Sequence, residues 1–444
     1  MTQQEALDIL KLGHNVYLTG PAGSGKTFLL NKYINFLKGK NIGVGITAST
    51  GIAATHMNGR TIHSWAGLGI QNEITDDHLS KLLKNINFRA RFLKTKVLII
   101  DEVSMLHSFR LDMVDKVCKA FKKNDLPFGG LQVILSGDFF QLPPVSKNGE
   151  DDSFIHTSKA WENMNIKICY LTEQYRQQDL NFLNVLNDIR AGKTSDTSLG
   201  LLTSRFNKPA VTNITPTKLY THNVDVDAIN NFELNKIESE PKTYKMQCRG
   251  EKYLVESLKK GCLAPEELTL KKDAVVMFVK NNFDKGYVNG TLGKVIDFDG
   301  DSYPIIKTIK GKEVAARPTS WTVEENDLIK AEISQVPLRL AWAITVHKSQ
   351  GMSLDAAEID LSKSFTYGMG YVALSRVRTL NGIKLMGLND LALQVDNTVI
   401  DLDKQLYKIS QSVVTDLCKL GWLQKKKQQK MFLQKITKNE RHAF

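Results

Sequence analysis

The sequence predicts an α/β protein built around a parallel sheet. Three observations carry that prediction. Short apolar runs near 15–19, 42–47, 96–100, 131–136 and 167–171 alternate with helical segments. The first run enters a glycine-rich loop and then a helix. Later runs end in carboxylate or amide residues, at the strand edge where open α/β sheets bind ligands.

From the N-terminus, MTQQEALDIL lacks the basic-then-apolar layout of a signal peptide, and no stretch approaches eighteen apolar residues. A soluble, intracellular, cytoplasmic protein is expected. NVYLT (15–19) is a short buried strand that runs into GPAGSGKT (20–27) and the helical FLLNKYINFLKG. Gly20, Gly23 and Gly25, with Pro21, Ala22 and Ser24 between them, let backbone N–H groups curl around phosphate oxygens. Lys26 can then reach the β and γ phosphates of ATP, and the Thr27 hydroxyl can hold Mg²⁺. A plain glycine turn explains neither Lys26 nor Thr27.

KVLII (96–100) ends in Asp101 and Glu102. Asp101 fits as the metal partner of Thr27, and Glu102 is positioned to orient or deprotonate an attacking water; either acid alone could instead cap the following helix. In LDMVDKVCKAF, Leu111, Val114, Val117 and Phe121 share one helical face and belong to the core. LQVIL leads into SGDFFQLPPV, where Pro143 and Pro144 fix the loop that carries Gln141. That amide suits a γ-phosphate sensor better than a merely structural role. No second GxxxxGK[ST] occurs, so one ATP site per chain is expected. From about 281 to 334 short strands and turns suggest an inserted β-barrel resembling an SH3 fold.

Lys and Arg outnumber Asp and Glu by 59 to 47, a net charge of +12 that suits a polyanionic partner. Part of the excess lies in the C-terminal tail, at Lys425, Lys426, Lys427, Lys430, Lys435, Lys438 and Arg441. A solvated tail is favoured there over a dedicated nucleic-acid arm. The five cysteines form no CxxC pair, which argues against disulfides and zinc and predicts reduced, mostly buried thiols.

In order and spacing, GPAGSGKT, ITASTGIAA (46–54), GRTIHS (59–64), IIDEVSML (99–106), PFGG (127–130), SGDFFQLPPV, LTEQYRQ (171–177), AWAITVHKSQG (341–351) and YVALSRV (371–377) resemble the petite-integration-frequency (Pif) family of superfamily-one, B-type DNA helicases. The resemblance spans nearly the whole chain. It implies two RecA-like P-loop domains closing over ATP, single-stranded DNA across their tops, and 5′→3′ movement. The domains implied are 1–178 with a small duplex-splitting insertion at 66–92, a second domain from 179–280 and 335–444, and the SH3-like insertion at 281–334. The implied activity is a Mg²⁺-dependent, DNA-stimulated ATPase that unwinds 5′-tailed duplexes, and folded guanine-rich DNA as a further substrate. The implied setting is a monomer in the bacterial cytoplasm, associated with the nucleoid and serving DNA repair and recombination. An ATP-switched single-strand binder and an RNA-directed helicase are the alternatives.

Carried over by residue, the resemblance assigns Lys26, Thr27, Asp101, Glu102 and Gln141 the roles already described. It adds Arg176 and Arg376 as the two arginines that reach the γ-phosphate, and Gly351 as a nucleotide contact. An adenine-reading glutamine falls at Gln3 or Gln4, with Gln4 preferred. For DNA it assigns Thr47, Ser49, Thr50, His63, His347, Lys348 and Ser349 to the phosphates, and Pro144 is a rigid wedge against a base. Alternatively, the TAST residues cap a helix and His63 is a satisfied core histidine.

Overall fold

The computed structural model describes residues 1–68, 72–144, 153–177, 179–211, 216–221, 226–282, 284–308, 311–325 and 328–438. Its first lobe holds six parallel strands: β1 (Val16–Thr19), β2 (Gly43–Ala48), β3 (Arg60–Thr61), β4 (Thr95–Asp101), β5 (Gln132–Ser136) and β6 (Lys167–Tyr170). They stand in the order β3-β2-β4-β5-β1-β6. The five expected strands fall within a residue or two of these bounds, and the two-residue β3 is new. Every residue of β1 and β5 is buried. Central strands covered on both faces are apolar throughout, which is why they were legible as unbroken runs.

Because all six strands are parallel, their C-terminal ends share one edge. Leu18 of β1 is level with Ser136 of β5, and Ile100 of β4 with Leu135. The phosphate loop, the Asp101–Glu102 pair and the Gly137–Gln141 loop therefore emerge side by side. The loop helix Lys26–Lys38 is held down by Leu29, Leu30, Tyr33, Ile34 and Leu37. The helix Ser108–Lys122 buries the predicted stripe of Leu111, Val114, Val117 and Phe121. The interruption at 66–92 is largely helical, through Asp76–Lys84 and Ile86–Lys94, with Leu82 and Phe92 in the core and Ile86 80% exposed.

The second lobe opens with β7 (Thr217–Tyr220) and is then interrupted by ten strands: β8 (Lys242–Lys245), β9 (Gln247–Gly250), β10 (Glu267–Leu270), β11 (Val275–Phe278), β12 (Leu292–Phe298), β13 (Pro304–Thr308), β14 (Glu313–Ala315), β15 (Thr319–Glu325), β16 (Leu328–Gln335) and β17 (Leu338–Leu340). The parallel sheet resumes with β18 (Ala343–Thr345), β19 (Ala357–Leu361) and β20 (Ile383–Leu388), in the order β18-β7-β19-β20. The antiparallel strands thus begin at Lys242, well before the expected residue 281. Their pairings among the described residues make three sheets, β10-β8, β14-β13-β12-β11-β17 and β15-β16-β9. These pairings are open sheets and do not include the closed ring of an SH3-like barrel.

The C-terminal region differs from the expectation that 335–444 belongs to the second lobe. The long helix Asn397–Lys419 returns to the first, where the Tyr170 amide donates to Ser410 Oγ at 3.0 Å. Its Val413 and Leu417 join Leu7, Leu10 and Val16 in one apolar cluster. The tail's lysines Lys426, Lys427, Lys430 and Lys435 are solvated as expected, yet the tail is ordered as far as Lys438, and Arg441 lies outside the described residues. The ordered part forms the helix Trp422–Lys438, whose Phe432 packs directly on Gly13, at φ +87° and with no room for a Cβ. Burial of one phenylalanine contributes roughly 1.5–3 kcal/mol, enough to dock a helix that is otherwise polar. Cys118 and Cys169 are buried, but Cys248 and Cys418 are exposed and Cys262 is intermediate, so most of the thiols are not deeply buried as expected; all five are free. Among the described residues no helix is long and apolar enough to cross a membrane.

Candidate nucleotide site and nucleic-acid interface

A cleft of about 790 Å³ separates the lobes at the shared strand edge. From the first lobe it is lined by Ala22, Gly23, Gly25, Lys26, Thr27, Asp101, Glu102 and Gln141, with Arg176 from the segment after β6. From the second come His347, Lys348, Gly351 and Arg376. Most of the proposed nucleotide residues therefore share one space.

Gly23 and Gly25 take φ +87° and +82°, which favours glycine. A Cβ on Gly25 would overlap the Gln3 amide. The Lys26 ammonium donates to the carbonyls of Gly20 (2.8 Å) and Pro21 (3.1 Å), and burial lowers its pKa. Ser24 is fully buried, and its hydroxyl has no partner among the described residues. Glu102 sits in the left-handed region at φ +53°, a strained position for a side-chain-bearing residue. Its Oε2 also lacks a partner among the described residues. Burial first, then the Asp101 charge, raise the Glu102 carboxyl to about 7 against the pull of Lys26 and Arg376. Burial raises Asp101 as well.

Arg376 is 2% exposed and donates through Nη2 to Gln141 Oε1 at 3.1 Å and through Nε to Val372 O at 3.1 Å. Arg176 donates to Ser375 O at 3.0 Å, and burial and then Arg376 push its pKa down. Like charges gathered in a buried cleft need an anion. Lys26, Lys348, Arg176 and Arg376 outnumber Asp101 and Glu102, while Arg378 is already paired with Asp355 at 3.3 Å. The orphaned Ser24 hydroxyl and Glu102 oxygen, with the glycine cradle between them, fit a triphosphate and its Mg²⁺, which Thr27 and Asp101 would hold.

Behind the loop lies a second network. Arg190 clamps Asp138 through two bonds of 2.7 and 2.8 Å and donates to Asp403 at 2.9 Å. Tyr371 donates to Asp138 at 3.4 Å and accepts from the Ala22 amide at 3.0 Å.

Several assignments are corrected. Gln4 is exposed and donates to Asp8, whereas Gln3 Nε2 donates to Ser24 O at 3.2 Å, so Gln3 is the glutamine at the loop. Thr47 is fully buried and donates to Ile99 O at 2.6 Å. Ser349 is also buried and donates to Val346 O at 2.7 Å. Both hydroxyls are buried and spent on the backbone, which leaves neither free for a strand phosphate. Pro144 is buried, not presented as a wedge. Ser49 is half-buried and donates to Glu102 O, fixing the strained residue. Thr50 caps the helix Gly51–His56 yet also lines the cleft, as do His347 and Lys348. His63 is half-buried, and burial, with Arg110 and His107 nearby, lowers it to about 4, so it is neutral at pH 7.

The sequence reading missed Phe28 and Tyr175. Both line the cleft, 65% and 57% exposed, and Tyr175 Cδ2 lies beside Gly25. Flat exposed rings beside Gln3 suit stacking on a base. An aromatic directly after GKT, at a helix start where burial has no call on it, was the available signal.

Fold and site together define a phosphate-loop nucleotide-binding protein of the two-lobed type, with arginines brought to the cleft from outside the loop. A PIF1-like helicase model matches residues 3–199, and a model of the DNA helicase Pif1 2B domain matches 253–298. The ATP-dependent DNA helicase Pif1 of Psychrobacter sp. (strain PRwf-1) is 45% identical, over 92% of this chain and 71% of its own length. The crystal structure of Bacteroides sp Pif1 in complex with ADP-AlF4 is 31% identical, with a TM-score of 0.80 over 91% of this chain and 96% of that one. Bacteroides Pif1 in complex with ADP-AlF3 and ssDNA gives 0.60 at 30% identity, with the same coverage. The chain belongs to the Pif1 helicase family.

Proposed function

We propose that this protein closes its two lobes on ATP and uses hydrolysis to move 5′→3′ along single-stranded DNA, splitting duplexes ahead of it. As a member of its family it is an ATP-dependent DNA helicase, and the polarity, the residue roles and the tailed-duplex substrate are the proposed parts. The observation that carries the reading is the Arg376–Gln141 contact, which joins an arginine of the second lobe to the amide at the edge of the first.

In this reading Lys26 and the loop amides bind the triphosphate. Thr27 and Asp101 would hold Mg²⁺, which would offset phosphate charge. Glu102, raised to about 7, orients water and accepts its proton, while Gln141, bonded to Arg376, senses the γ-phosphate. Arg176 and Arg376 stabilise charge on the transferred phosphoryl oxygens, and only while the cleft is shut. Loss of the terminal phosphate removes their ligand and frees the lobes. Gln3, Tyr175 and Phe28 take the base. Thr50, Ser49, His347 and Lys348 are the remaining candidates for the strand, and the helical segment around the exposed Ile86 is the duplex-splitting element. Cytoplasmic action on bacterial DNA, as a monomer, completes the proposal.

Unwinding of paired 5′-tailed and 3′-tailed duplexes tests it. Strand displacement is expected on 5′ tails only, and a 3′ preference overturns the polarity. ATPase stimulation by RNA equal to that by DNA would overturn the choice of DNA over RNA.

A further inference from the structure

We infer that the tail helix Trp422–Lys438 is a second contact surface, for the phosphate backbone of duplex DNA, separate from the nucleotide cleft. It rests on the DNA substrate of the reading above and adds a site to it. Gly13, which receives Phe432, precedes β1, whereas the phosphate loop follows it. The tail therefore docks at the opposite edge of the first sheet from the cleft.

Three features of the helix point to a polyanion. It carries six lysines and no acidic residue, half of the chain's net charge of +12. On several other helices lysines are offset by a neighbouring acid, as in Asp77–Lys81, Glu233–Lys236, Asp401–Lys404 and Asp416–Lys419. Here Lys426 and Lys430 stand one turn apart with no acid in the helix, an arrangement that destabilises an isolated helix. Lastly, Lys426, Lys427, Lys430 and Lys435 are all exposed, and the Lys426 ammonium lies 4.0 Å over the ring of Trp422, itself 65% exposed.

An anionic membrane is the competing partner for a lysine-rich helix. Such a helix inserts its apolar face. In this one Phe432, Leu433 and Ile436 are already committed to the first lobe, so no continuous apolar face is left to insert; the lysine face is outward, with Trp422, Leu423 and Met431 exposed beside it. Duplex DNA asks for that face alone, because its regularly spaced phosphates release counterions to lysines without any insertion.

The test is binding of the nucleotide-free chain to a blunt 20-base-pair duplex across a salt series, for wild type and for K426Q/K427Q/K430Q/K435Q. Each lost phosphate contact lowers the slope of log affinity against log salt by about 0.9, so a fall of roughly 2 to 4 is expected, with affinity weakened about 10-fold or more. ATPase activity at saturating oligo-dT should be unchanged. An unchanged slope overturns the proposal, as does tighter wild-type binding to phosphatidylserine vesicles or to an RNA duplex of the same length. Should the variant not fold, Trp422 fluorescence decides: quenching by duplex in the wild type, lost in W422F, is expected, and no Trp422-dependent quenching sinks the idea. A wild type with no DNA-stimulated ATPase would instead count against the helicase reading, and the same titration would still judge the tail.

Discussion

The phenolic oxygen of Tyr371, in the helix Met369–Ser375 of the second lobe, accepts a hydrogen bond at 3.0 Å from the amide of Ala22 in the phosphate loop of the first. Five residues on, Arg376 donates to Gln141. One short helix thus holds both the loop and the amide beside it. Tyr371→Phe keeps the ring and removes the acceptor, leaving a buried amide unpaired at a cost of about 1–3 kcal/mol. A higher KM for ATP and a lower kcat are expected in a steady-state ATPase assay, with the melting temperature lowered by a few degrees.

In the proposed mechanism Arg376 stabilises charge that appears only during transfer, and Arg376→Ala removes it. Such arginines are worth roughly 10³-fold or more in turnover. Nucleotide affinity, measured with a fluorescent analogue, should change far less than kcat. Equal losses in both would make Arg376 a ground-state binding residue.

As the proposed base, Glu102 is expected to govern the pH dependence. Its carboxyl is raised to about 7, mainly by burial. Only the ionised form accepts a proton, so kcat/KM should fall as pH drops through about 7. Glu102→Gln should bind ATP, hydrolyse it negligibly and displace no strand. The same shift acts on folding: the native state holds this proton more tightly than the unfolded chain, so Glu102 opposes folding increasingly as pH rises from about 4.5 to 7. Melting scans should therefore show Glu102→Gln gaining on wild type between pH 5 and 8.

Arg190→Met leaves Asp138 buried without its cation. Breaking a buried pair from one side costs about 3–5 kcal/mol. Thermal unfolding should detect it as a large drop, and Asp138→Asn with Arg190→Met together should recover part of it.

Thr47→Val tests a correction. The hydroxyl donates to Ile99 O inside the sheet, so stability should drop by about 1 kcal/mol while single-strand affinity stays as in wild type. Selective loss of DNA affinity would restore the strand-contact assignment.

What the sequence disclosed follows from how local each signal was. Strand, glycine loop and helix are contiguous, and Asp101, Glu102 and Gln141 could be placed because parallel strands end at one edge. Gln3 and Gln4 are neighbours on a helix, and only the angle at which that helix meets the loop separates them. Thr47 and Ser349 sit inside recognisable motifs, but the rotamers that turn their hydroxyls to backbone carbonyls leave no trace in composition. The Arg190–Asp138–Tyr371 network joins residues far apart in sequence, none remarkable alone. The return of the C-terminal helices to the first lobe was hidden for a related reason, since an amphipathic stripe does not say which groove it fills.

The helix Asn397–Lys419 leaves the second lobe beside the point where the chain first entered it, with Asp403 touching both Tyr170 at the end of β6 and Arg190. The two halves of the motor are therefore stitched together twice along a single seam. Two adjacent crossings tether the lobes at one side of the cleft. Any closing of the cleft has to be accommodated at both crossings at once, since each carries backbone from one lobe to the other beside Asp403.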